Sequence, residues 1–200
     1  MPELLKPSRV LDRDHEWELL RDFVADPAPQ LRLAILSGRR RNGKSFLLEA
    51  LTEAVGGLYL TAVQEEGRVL ALQRFSDAIA GHAGVPARAL RLAGWEEVLS
   101  TAFDVVNRIP GAPLLVIDEL PYLLQHSPEI PGLLQLLYDR SQSGKAPSGR
   151  IVLCGSAMSV MSALLSGTKP LRGRWTCACP RSTTEPPGRT GRWPIPRRLS

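Results

Sequence analysis

Cysteine is scarce in this chain, with three in 200 residues. Cys154, Cys177 and Cys179 are too few and too poorly spaced for a disulfide framework. Cys177 and Cys179 lack a second pair of ligands, which argues against a zinc site. The three histidines, His15, His82 and His126, are scattered and read as ordinary surface residues. No uninterrupted run of about 18 apolar residues exists, so no membrane span is expected. The first residues, MPELLKPSRVLDRD, lack an apolar signal-peptide core, and a cytoplasmic protein is expected. Acids are scarce only at one end. Residues 175–200 hold five arginines and one acid, which is +4 of the whole chain's +5. The remaining body is nearly neutral, so the basic balance says little about nucleic-acid binding by a folded core.

What is present is more specific. The length suits one domain with or without a tail, and 44% hydrophobic residues can build a core. The segment Gly38-Arg39-Arg40-Arg41-Asn42-Gly43-Lys44-Ser45 fits the phosphate-binding pattern G-x-x-x-x-G-K-[ST]. Leu31 to Ser37 reads as a buried strand before it and Lys44 to Ala54 as a helix after it. That order is what phosphate binding requires, because successive backbone N–H groups and a helix N-terminus then surround an anion. Gly38 and Gly43 permit backbone conformations and close approach that a Cβ would block. Lys44 is expected to reach the β- and γ-phosphates, and the Ser45 hydroxyl to ligate Mg²⁺. The nucleotide-contacting stretch is expected to run from Gly38 through Phe46.

A second motif strengthens the first. Pro113-Leu-Leu-Val-Ile-Asp118-Glu119 reads as a strand apolar on both faces, which suits the centre of a parallel sheet. Its two carboxylates fall at the strand's carboxyl end, where such sheets bind ligands. Asp118 is placed to hold Mg²⁺ and Glu119 to polarise an attacking water. Two adjacent carboxylates also occur at solvated strand-end turns, so alone they would settle nothing.

Strands and helices alternate along the chain. A helix is expected over Leu11 to Val24, a strand over Gly57 to Ala62, and helices over Val69 to His82 and Trp95 to Val106. A further helix is expected over Ile130 to Arg140, a strand over Arg150 to Gly155, and a helix over Ser156 to Ser166. The alternation predicts an α/β fold, a three-layer sandwich around a doubly wound parallel sheet. The last of these strands ends in Cys154-Gly155-Ser156. Ser156 is a candidate sensor of the γ-phosphate, and it reads equally as the N-cap of the next helix.

These segments together resemble the prokaryotic archaeal-type ATPases, a group of AAA-like, STAND-related P-loop ATPases. The resemblance spans Ser8 to Arg174. It rests on GRRRNGKSFLL, LYLTAVQEE, GWEEVLSTAF, LLVIDELPYLL, and IVLCGSAMSVM followed by PLRGR, in that order. It implies a P-loop NTPase that uses ATP and Mg²⁺; no Asn-Lys-x-Asp pattern for guanine is present. It also implies that Val10 and Arg13 lie near the adenine. Arg172 and Arg174 fall where such ATPases place γ-phosphate-sensing or intersubunit arginines, although a solvated basic turn has the same composition. The implied function is that of an ATP hydrolase or switch, with a homo-oligomer or another protein as partner. The alternatives left open are a non-catalytic nucleotide-binding or nucleic-acid-interacting protein and an inactive truncated gene product.

After Arg174 the resemblance stops. Residues 175–200 lack helical or strand periodicity and are rich in Arg, Pro and Thr, as in GC-rich DNA read out of frame. Codons compatible with this segment, shifted by one base, encode a stretch containing PFDYR, which resembles what the family carries there. Two parts are therefore expected: a truncated core over residues 1–174 and a disordered, out-of-frame tail over 175–200. The sheet is then expected to lack its last strand, leaving an unpaired edge beside the phosphate-loop strand.

Overall fold

In the computed structural model, the structure describes residues 4–108, 113–145, 148–164 and 175–178. The apolar residues along each strand fall alternately on its two faces, and that alternation builds two cores. In the first strand, β1 (Leu31–Ser37), Leu31, Leu33 and Ile35 face one core while Ala34 and Leu36 face the other. A strand buried on both faces needs helices above and below it.

The chain supplies them in the order α1 (Asp14–Ala25), β1, α2 (Lys44–Val55), β2 (Leu58–Thr61), α3 (Arg68–His82), α4 (Trp95–Arg108) and β3 (Leu114–Asp118). There follow α5 (Leu120–His126), α6 (Ile130–Gln142), β4 (Gly149–Gly155), α7 (Met158–Ala163) and β5 (Trp175–Ala178). Helices α1 and α2 cover one face through Trp17, Leu20, Phe23, Leu47, Leu48 and Leu51. Helices α3 to α7 cover the other, with Phe75, Trp95, Phe103 and Leu134 at the centre of the larger core. The Trp95 ring meets Phe75 edge-on at 5.2 Å between centroids, and its indole N–H donates to the buried Ser127 hydroxyl at 2.7 Å. The α/β three-layer sandwich expected from the sequence is therefore the observed architecture.

All strands run parallel in the order β2-β3-β4-β1-β5. The glycine loop after β1, the acidic pair after β3 and Ser156 after β4 thus emerge on the same side of three adjacent strands. Two elements, α5 and β5, are not among those the sequence predicts. Helix α5 begins immediately after β3, with Glu119 as its N-cap and Pro121 in its first turn, a position where proline lacks only a hydrogen bond that the helix would not have made. The other departure is β5. Four residues of the segment expected to be disordered pair with Ala34–Ser37 of β1, so that part of the edge is closed. Backbone pairing asks only for an extended chain, and Trp and Thr favour one. Leu31–Leu33 have no partner in β5. Residues 179–200 lie outside the described residues.

At the opposite end of the sheet from the glycine loop, a buried arginine ties α1, its linker and β4 together. The Arg150 guanidinium is 5% exposed. It donates to the Phe23 carbonyl at 3.1 Å, Gln30 at 3.3 Å, Gly149 at 2.9 Å and Ala28 at 3.2 Å, and also to Asp26. Few side chains other than arginine carry enough donors in a fixed fork to satisfy five carbonyls at once.

Candidate functional site

The glycine loop leaves β1 through the buried Gly38 and enters α2 at Gly43, which caps the helix with φ 71° and no side-chain cap. A Cβ at Gly43 would meet nothing within 4 Å, so its backbone conformation is the reason for glycine there. Arg41 also has positive φ, at 63°, a conformation costly for a residue with a side chain. These two left-handed residues turn the loop so that α2's N-terminus opens toward its hollow. Lys44, the first residue of α2, is 6% exposed, and its ammonium donates to the Gly38 carbonyl at 2.9 Å and the Arg39 carbonyl at 2.8 Å. The lysine thus folds back over the loop.

The loop is braced from two sides. Arg13, at the start of α1, donates to the Asn42 carbonyl at 2.8 Å and pairs with Glu16 at 2.7 Å. Arg40 donates to the Tyr122 hydroxyl of α5 and lies over the Tyr122 ring, 5.6 Å from its centroid. Beside the loop, Val10, Asp12, Arg13, Asn42, Phe46 and Leu47 line a cleft of about 270 Å³. Val10 and Arg13 therefore do flank the loop, together with Phe46.

The acidic pair stands opposite the loop. Asp118 is 2% exposed. Its Oδ1 accepts the Glu119 N–H at 2.8 Å, and its Oδ2 accepts the Tyr59 hydroxyl of β2 at 2.5 Å. Burial alone would raise this carboxyl, but hydrogen bonds from Cys154, Ser45, Tyr59 and the Glu119 amide prevail and hold it below the usual carboxylate value. Asp118 is therefore ionised at neutral pH. Burial, with the neighbouring Asp118 charge, pushes both the Tyr59 phenol and the Cys154 thiol well above their ordinary values, so both remain protonated donors.

Glu119 sits one residue later in a left-handed conformation, φ 51° and ψ 36°, which turns it away from Asp118. The Ser156 hydroxyl donates to its Oε2 at 3.3 Å. Gly155 lies so close to Pro121 that a Cβ there would fall 2.5 Å from the proline Cδ.

The structure thus brings Lys44, Ser45, Asp118, Glu119 and Ser156 to the same side of the sheet, at the carboxyl ends of β1, β3 and β4, with Arg39, Arg40 and Arg41 exposed on the loop. Arg172 and Arg174 lie outside the described residues. The sequence reading missed Tyr59, Cys154 and Tyr122. Alternation would place Tyr59 and Cys154, because both lie on the face of Asp118 once β2 and β4 are known to flank β3. No cluster of three or more His, Cys, Asp or Glu occurs among the described residues. The hard oxygen set of a hydroxyl and an ionised carboxylate fits a cation such as Mg²⁺, which takes few protein ligands and completes its shell with water and phosphate. Among the described residues, no helix is long and apolar enough to cross a membrane.

No protein-family model matches the chain, and no curated protein matches it. Solved structures do. The Walker-type ATPase of Pyrococcus abyssi aligns over 85% of this chain and 53% of its own, at TM-score 0.61 and 20% identity. The Aeropyrum pernix ORC1 protein, solved in complex with DNA, aligns over 92% of this chain and 48% of its own, at TM-score 0.57 and 21% identity. The ORC2 protein of the same organism, solved with ADPNP and ADP, aligns over 88% and 50%, at TM-score 0.58 and 18% identity. The chain spans about half the length of the structures it matches. The chain shares the α/β fold of these Walker-type ATPase and ORC structures and of a Cdc6 protein from Pyrobaculum aerophilum.

Proposed function

We propose that this chain binds ATP with Mg²⁺ and hydrolyses it, as an ATPase or switch of the AAA-like class. The observation that carries the reading is the convergence of Lys44, Ser45, Asp118 and Glu119 at the mouth of α2. A loop with two left-handed residues, a helix N-terminus without a side-chain cap and a buried ammonium suits a polyphosphate. The ammonium would exchange the Gly38 and Arg39 carbonyls for phosphate oxygens. The cleft beside Val10, Arg13 and Phe46 would take the adenine, with the Phe46 ring, 46% exposed, offering an apolar face. Ser45 and Asp118 would hold Mg²⁺, which offsets charge on the phosphates when bound.

Glu119 would accept a proton from the water that attacks the γ-phosphorus, and the bond to the β–γ bridging oxygen would break, giving ADP and phosphate. Ser156 would hold the Glu119 carboxylate toward that water. Arg39 and Arg41, on the rim, add positive charge where the phosphates enter. Arg174 keeps its proposed part as a γ-phosphate or intersubunit arginine in a homo-oligomer.

Single-turnover hydrolysis by the wild-type chain and by Glu119→Gln tests the catalytic part. The variant is expected to bind ATP normally and to lose hydrolysis by about 100-fold or more, the range set by removing a general base. Equal rates in both would remove Glu119 from the mechanism. Tight binding with no turnover in the wild type would favour a nucleotide-binding protein without catalysis.

A further inference from the structure

The geometry points to Tyr59 as a positioning residue for the Mg²⁺ that the proposed function requires, holding the Asp118 carboxylate in a fixed orientation from strand β2. This rests on the nucleotide reading above and adds a residue that the phosphate-loop and acidic-strand motifs do not contain.

Tyr59 is half-buried, its ring packed beside the core that α1 and α2 form on the sheet. β2 is short and pairs with β3 so that Thr61 stands beside Asp118. The residue two places earlier, Tyr59, stands beside Val116 and shares its face, the face of Asp118. A phenol is long enough to run along the sheet from there to the carboxylate. It donates to Asp118 Oδ2 at 2.5 Å, while Oδ1 is held by the Glu119 amide at 2.8 Å. The two anchors fix the plane of the carboxylate, which otherwise turns freely about its last side-chain bond. Each oxygen keeps a lone pair for a water bound to the metal. Ser45, the other residue proposed to hold the cation, lies across the site on α2 and is among the groups that hold the Asp118 carboxyl low. The phenol on β2 therefore orients the one carboxylate proposed to hold the cation. A partner that orients a metal's ligands without binding the metal changes affinity by about 10- to 100-fold when removed.

An aliphatic or phenyl side chain would fill the same space, so the ring is the packing and the hydroxyl is the function. Tyr59→Phe separates them. Binding of a fluorescent ATP analogue to the full 200-residue chain would be measured without Mg²⁺ and across an Mg²⁺ titration, alongside thermal unfolding. Tyr59→Phe is expected to leave the Mg²⁺-free affinity within about twofold of wild type and to raise the half-saturating Mg²⁺ concentration about tenfold. An unchanged Mg²⁺ midpoint would overturn the proposal, as would an equal loss of affinity with and without Mg²⁺, which marks a general packing defect. A wild-type chain that binds the analogue but shows no Mg²⁺ dependence would also overturn it while leaving nucleotide binding intact. A wild-type chain that binds no analogue under either condition would overturn the nucleotide reading itself.

Discussion

Replacing Lys44 by alanine is expected to weaken ATP binding at least about 100-fold. The ammonium is buried and held over the loop by two carbonyls, so it is already positioned where the phosphates would lie. A hydrogen bond to a charged group contributes about 1.5–3 kcal/mol, and two such bonds to phosphate oxygens account for a loss of about 3 kcal/mol or more. Each 1.4 kcal/mol is tenfold in affinity. The fold should survive, because the lysine's partners are loop carbonyls at the solvent-facing end of the sheet rather than core groups. Equilibrium binding of ATP, with thermal unfolding as the control, checks this. An affinity within threefold of wild type in a folded Lys44→Ala chain would mean that the loop does not hold phosphate.

Arg150→Ala should have the opposite signature, a large loss of stability with no direct effect on the site. Five carbonyls from α1, its linker and β4 converge on this one buried guanidinium. Alanine leaves them without donors, and an unsatisfied buried polar group costs about 1–3 kcal/mol. Water will reach some of them, so the expected loss is about 3–5 kcal/mol, the cost of two or three such groups left unsatisfied. That is a large part of the 5–15 kcal/mol typical of a folded domain. For a chain of this size it lowers the melting temperature by roughly 10 °C. Arg150→Lys should recover only part of the loss, because an ammonium has three donors and no planar fork. A melting temperature within 1–2 °C of wild type for Arg150→Ala would show that the linker carbonyls find other partners.

The parts of the site that lie next to one another in sequence were legible from it. The strand that the sequence predicts before the loop, Leu31 to Ser37, matches β1 residue for residue, and the acidic strand, expected over Pro113 to Glu119, is one residue shorter at each end. Their apolar runs are bounded by residues that end strands, glycine in one case and adjacent carboxylates in the other. The helix after the loop starts at Lys44 as read and ends one residue later than read, at Val55. Helix α1 was read to begin at Leu11, but its first turn starts at Asp14, because Asp12 takes a positive φ of 51° that no helix continues through.

What the sequence left hidden depends on neighbours across the sheet. Nothing local in Leu58-Tyr59-Leu60 says that this strand lies beside β3, so the Tyr59–Asp118 contact could not be read. Helix α5 was missed because Pro121 looks like a turn residue until it is seen in a first helical turn. The role of Arg150 is invisible for the same reason, since four of its five acceptors lie about 120 residues earlier. Residues 175–178 were read by composition, which carries no information about an edge that an extended chain can join.

Titrating the wild-type chain with ATP in the presence of Mg²⁺, followed by fluorescence and by thermal unfolding, tests whether it binds nucleotide. Saturable binding at one site is expected, with a melting temperature that rises with ATP concentration. A ligand at 100 times its Kd stabilises the folded state by about 2.7 kcal/mol, well within reach of the measurement. No saturation at millimolar ATP, together with an unchanged melt, would contradict the assignment of Gly38 to Phe46, Asp118 and the adjoining cleft as a nucleotide site.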